Sequence, residues 1–103
     1  MKLVYIAGPY RSGTTFGLKK NIDKAERVAV KYWQLGYAVI CPHKNTSFLD
    51  GTCSDKVFLD GDLEMLKRCD VIVMMKGWQK SKGAKTELFF AKANKIKVIY
   101  AKT

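Results

Sequence analysis

Residues 71–100, VIVMMKGWQKSKGAKTELFFAKANKIKVIY, decide the fold. Val71 to Met75 is an unbroken apolar, β-prone run, as expected of a strand covered on both faces. Gly77 to Lys82 is turn-forming and polar. A helical stretch from about Gly83 to Asn94 follows, and Ile96 to Tyr100 (IKVIY) returns to strand character. Strand, helix and strand within thirty residues is the parallel crossover unit.

Working outward, the same alternation repeats. Leu3 to Ala7 (LVYIA) is a second buried strand, closed by the loop Gly8-Pro9-Tyr10-Arg11-Ser12-Gly13-Thr14-Thr15. A helix is predicted from about Leu18 or Asn21 to Leu35, stopped by Gly36. Tyr37 to Cys41 (YAVIC) is a further strand. His43 to Ser54 reads as a polar loop that Phe48 and Leu49 could anchor. Leu59, Leu63 and Leu66 mark a helix over about Val57 to Arg68, with Gly61 weakening its first turn. The whole is an α/β chain: a flavodoxin-like, doubly wound parallel sheet of four strands, order 2-1-3-4, with three helices in one domain over residues 1–103. Ligands in such sheets sit beyond the carboxyl ends of the strands at the switch point. The loops after the first and third strands should therefore share a crevice.

Composition narrows the function. The net charge is +10, which favours anionic partners. Lys20, Lys24, Arg27 and Lys31 share one face of the first helix. Ile22, Ala25, Ala29 and Trp33 take the opposite face. Those cations are either a solvated surface or a nucleic-acid- or partner-binding stripe. No run approaches a membrane span, and Met1 to Pro9 has no signal-peptide ending, so a cytoplasmic protein is expected. Cys41, Cys53 and Cys69 are widely spaced and odd in number, which fits reduced thiols. A single histidine and no C-x-x-C pair argue against structural zinc. No cofactor is implied. So small a domain buries a modest core, and a homodimer or larger homo-oligomer is the expectation.

Two loops carry chemistry. Gly8-x-x-x-x-Gly13-Thr14-Thr15 is one residue short of a P-loop, but Thr14 stands where the phosphate-binding lysine belongs. The dinucleotide fingerprint is absent. What remains is backbone approach at Gly8 and Gly13, with Arg11 offering a planar fork to phosphate. In the other loop, Ser81 is placed to cap a helix whose first turn Gly83 leaves uncovered, a ready anion site. Glu87 falls in the second turn at the border of the apolar face. Asp62 falls at the edge of the Leu59/Leu63/Leu66 stripe, where an acid needs a partner or a ligand. Asp50, Asp60 and Glu64 read as solvated. His43 lies near the crevice rim, and Trp78 and Phe48 are candidates to stack on a base.

These segments together, IAGPYR, Asp62-x-x-x-Leu66-x-x-Cys69-Asp70, and Gly77-Trp78 with Ser81-x-Gly83-x-x-x-Glu87, resemble the nucleoside 2-deoxyribosyltransferase superfamily over nearly the whole chain. The likeness is nearest to its short phage and bacterial members. The resemblance implies a nucleophile at Glu87, attacking C1′ of a deoxyribose to give a glycosyl ester that water or a second base resolves. It implies an acid at Asp62 that orients the sugar or helps protonate the base, and a tyrosine, Tyr10 or Tyr5, that positions Glu87. The nucleotide N-glycosidase branch carries serine six residues before the nucleophile, where nucleoside transferases carry aspartate. Ser81 therefore favours a deoxynucleoside 5′-monophosphate, with a deoxynucleoside as the other substrate the resemblance allows, bound by Gly8, Tyr10, Arg11, Ser81 and Gly83. In relatives a neighbouring subunit supplies a residue from beyond the last strand, and this chain ends at Thr103. A nucleotide sensor without turnover, and a basic nucleic-acid-binding module, stand as the alternatives.

Overall fold

The computed structural model describes residues 1–102. It contains β1 (Leu3–Ala7), α1 (Thr15–Gln34), β2 (Ala38–Ile40), α2 (Pro42–Asn45), α3 (Asp55–Leu66), β3 (Val71–Met74), a 3-10 turn (Trp78–Lys80), α4 (Lys82–Ala93) and β4 (Lys97–Tyr100). The four strands form one parallel sheet in the order β2-β1-β3-β4, as the alternation of elements predicts.

Period-two alternation in the central strands divides the core between two faces. Val4, Ile6, Val71, Val73 and Met75 pack beneath Ala25, Val28, Ala29 and Tyr32 of α1. Tyr5, Ala7, Ile72 and Met74 face the other way, against Leu66 of α3 and Ala84, Leu88 and Ala91 of α4. The parity of β1 thus sends Tyr5 to the α4 side, which matters below.

The structure departs from the sequence reading in several places. Helix α1 starts at Thr15, because the Thr14 hydroxyl accepts from Gly17 N and caps it. A Ser/Thr cap in a hydroxyl-rich run is easily read as more loop. Trp33 is 55% exposed and not part of the apolar face; Tyr32 and Val28 take that place. The segment read as loop from His43 opens with α2, which has Pro42 in its first turn. Phe48 and Leu49 anchor nothing: both are exposed. All three cysteines are free thiols. Among the described residues no helix is long and apolar enough to cross a membrane.

Candidate active site

The loop after β1 and the start of α4 meet at one end of the sheet. Gly8 lies so close to the end of β3 that an added Cβ would stand 2.8 Å from the Met75 Cβ and Sδ. Only glycine permits that approach. The resulting cavity, about 500 Å³, is walled by the β1–α1 loop, α2 and the residues after it, the inner face of α3, and the first two turns of α4. Glu87, Asp62, Gly8, Tyr10, Arg11, Ser81 and Gly83 all line it.

Glu87 is placed by helical periodicity. Ala84, Glu87, Leu88 and Ala91 are the buried positions of α4, an i, i+3, i+4, i+7 set, so the carboxyl enters the apolar stripe itself. It is only 8% exposed. Its partner is Tyr5, whose hydroxyl donates to Glu87 Oε2 from the middle of β1. Burial pushes the Glu87 carboxyl up to about 8, with the Tyr5 hydrogen bond opposing and the Asp62 charge adding to the rise. Burial likewise raises the Tyr5 phenol. It also lifts Asp62, half-buried on α3, to about 6. Two carboxyls in one cleft, each held above its ordinary range, are suited to proton transfer near neutrality.

At the tip of α4 the Ser81 hydroxyl accepts from Ala84 N. The N–H groups of Lys82 and Gly83 are left without intrahelical partners at the positive end of the helix dipole. A Cβ added at Gly83 would meet only Ser81 Oγ, at 4.0 Å, so this tip is open to a ligand. Lys80 and Lys82 flank it.

The mouth of the cavity differs from the sequence reading. Arg11 does not stand free for an anion: it pairs with Asp55 at 2.6 Å and lies 3.9 Å from Asp50. Asp50 is not simply solvated either, since it lines the cavity and accepts from the Tyr10 hydroxyl at 2.8 Å. Tyr10 therefore braces the mouth, and Tyr5 is the tyrosine on Glu87. Gly13 is exposed and outside the lining. Asp60 and Glu64 face solvent, paired with Lys56 and Arg68.

His43 is buried. Its Nε2 donates to the Pro9 carbonyl at 2.8 Å, and Nδ1 has no partner in the protein. Burial lowers its pKa, so the ring is neutral and ties α2 to the β1–α1 loop. Trp78 and Phe48 do not line the cavity. Trp78 packs on Tyr100 with ring centroids 5.9 Å apart, and Phe48 is exposed. The apolar wall is instead Ile6, Pro9, Pro42, Phe58 and Leu59. Phe58 was legible in principle, because Asp55, Phe58, Leu59 and Asp62 share one face of α3 at i, i+3, i+4, i+7.

Residues 2–100 match the family described as a domain of unknown function, DUF4406. The chain belongs to the DUF4406 family. The solved structure of a 2-deoxyribosyltransferase from the psychrotolerant bacterium Bacillus psychrosaccharolyticus is similar to this DUF4406 domain with a TM-score of 0.69. It is 24% identical, over 95% of this chain and 70% of that one. At that identity the likeness speaks for the fold. No curated protein matches this DUF4406 chain in sequence. Among the described residues no cluster of three or more His, Cys, Asp or Glu is arranged to hold a metal ion.

Proposed function

We propose that this protein cleaves or transfers at the N-glycosidic bond of a 2′-deoxynucleoside 5′-monophosphate, through a covalent ester on Glu87. The observation that carries the proposal is the buried Glu87 carboxyl, oriented by the Tyr5 hydroxyl and facing a cavity that Asp62 also lines. A Glu87 carboxylate oxygen bonds to C1′ as the C1′–N bond breaks, and that electron pair leaves with the base. Asp62, in the form in which it holds the proton while Glu87 is ionised, supplies the proton the base takes up. Water or a second base then attacks C1′, and Glu87 departs as carboxylate. This is the two-step logic of retaining glycosidases.

The α4 tip supports a phosphate at the 5′ position: two free N–H groups, the Ser81 cap and the flanking Lys80 and Lys82 suit an anion. Arg11 supplies a further cation once a phosphate competes with Asp55 for its guanidinium. The cavity is otherwise not strongly basic, since Asp50, Asp55, Asp62 and Glu87 offset Arg11, Lys80 and Lys82.

The test is incubation with each deoxynucleoside monophosphate, following free base by chromatography, with Glu87→Ala as control. Base release that depends on Glu87 is expected. Nucleotide binding without base release, unchanged in the variant, would replace the enzyme with a sensor.

A further inference from the structure

Of the chain's 19 lysines and arginines, only three line the cleft, where four carboxyls offset them. The excess charge of +10 is therefore displayed elsewhere. Much of it stands on the outer face of α1. At about 100° per residue, Phe16, Lys20, Lys24, Arg27 and Lys31 fall within an arc of about 80°. That arc lies opposite the buried Ala25, Ala29 and Tyr32.

Three observations separate this stripe from an ordinary solvated face. First, the two acids on α1 are already engaged at its flank: Asp23 pairs with Lys19 at 3.0 Å and Glu26 with Lys44 at 2.8 Å. Among the described residues, Lys20, Lys24, Arg27 and Lys31 have no acidic partner. Second, the stripe contains Phe16, 73% exposed, with Lys20 Nζ 5.5 Å from its ring centroid. Other large apolar side chains are exposed too, Phe89 among them, but this ring stands within the row of cations. Third, the cations recur at steps of about 4.5–6 Å over about 17 Å of helix. A flexible single strand can bring successive phosphates to steps of that size.

We infer that this face of α1 binds single-stranded nucleic acid, the four cations taking backbone phosphates and Phe16 stacking on a base. Cations tracking a backbone beside an exposed aromatic ring are the usual combination for strand binding without sequence preference. The inference stands on residues outside the cleft and does not require the glycosidic reading.

Fluorescence anisotropy with labelled (dT)20 between 50 and 200 mM NaCl tests it. Four neutralised phosphates on a single strand give a log–log salt slope of about −3, or roughly a 50-fold loss of affinity over that range. The combined Lys20→Gln, Lys24→Gln, Arg27→Gln and Lys31→Gln variant should lose the greater part of both binding and slope. Phe16→Ala should weaken binding about tenfold and leave the slope unchanged. All five positions are exposed, and circular dichroism is the check that the variants fold. The inference is overturned if the four-fold variant keeps wild-type affinity and slope. It is also overturned if duplex of equal length binds more tightly, or if phosphatidylserine vesicles are preferred to the oligonucleotide. Base release from deoxynucleotides, measured in parallel, should persist in the four-fold variant, and (dT)20 binding should persist in Glu87→Gln. The two proposals thus fail separately.

Discussion

Replacing Glu87 with Gln should stabilise the protein, by an amount that grows with pH. The Glu87 carboxyl rises from 4.5 to about 8 on folding, chiefly because burial penalises its charged form. The folded state therefore holds the proton more tightly than the unfolded chain. This contribution to stability is fully present below pH 4.5 and is lost progressively as the pH climbs through 8. Glutamine imitates the protonated carboxyl in shape, and its Oε1 can still accept from the Tyr5 hydroxyl, but it carries no titrating charge. Linkage over the two pKa values gives a stability gap between Glu87→Gln and wild type of about 1 kcal/mol at pH 5, 3 kcal/mol at pH 7 and 5 kcal/mol at pH 9. Asp62 is common to both proteins and largely cancels. The assay is urea unfolding at the three pH values. With an m-value of about 1–2 kcal/mol/M, the pH 7 midpoint should move up by about 2 M. A gap that stays constant with pH, or a variant less stable than wild type at pH 9, refutes the claim that burial sets the Glu87 pKa. Such a gain would be the expected trade between stability and activity if Glu87 acts as proposed.

The remaining predictions concern activity and packing. If Glu87 must be ionised and Asp62 protonated, kcat/KM for base release should be flat between pH 6 and 8 and fall about tenfold per pH unit outside that window. Asp62→Asn should lower the rate and abolish the alkaline fall, which a pH–rate series of the variant checks directly. Tyr5→Phe removes the hydrogen bond that opposes the upward shift of Glu87. The plateau should fall and its alkaline edge move to higher pH, while the fold, judged by circular dichroism, is retained. Ser81→Asp places a carboxylate at the α4 tip. It should reduce kcat/KM for a deoxynucleoside monophosphate at least tenfold more than for the matching deoxynucleoside, a ratio set by charge repulsion at the phosphate. Gly8→Ala pushes a methyl into Met75 and should cost about 1–3 kcal/mol in thermal or urea unfolding.

Much of the architecture was legible because it is local. Continuous apolar runs at Leu3–Ala7 and Val71–Met74, separated by helical periods, admit little besides a parallel sheet. The right-handed crossover rule then restricts the order. The helix-capping role of Ser81 and the location of Glu87 and Asp62 on one cleft followed from the same pattern. Less legible were features that depend on packing at a distance. Arg11 looked free, yet Asp55 lies 44 positions away in sequence and 2.6 Å away in space. Phe48 looked like an anchor, and the chain turned it outward. Trp33 sits at the edge of an apolar arc, and only the sheet's outline decides on which side of the edge it falls.

By itself, then, the order of residues determined the strand and helix sequence, the parallel sheet and the list of acids and glycines near the carboxyl ends of its strands, because hydrophobic period and turn chemistry act over a few residues. Tertiary structure alone decided which tyrosine meets Glu87. Tyr5 and Tyr10 are both candidates in the sequence, but the pleat of β1 turns Tyr5 toward α4, while Tyr10 is drawn across the mouth to Asp50. It also decided how far each carboxyl is removed from water. That quantity belongs to the assembled cavity rather than to any segment, and it sets the protonation of Glu87 and Asp62.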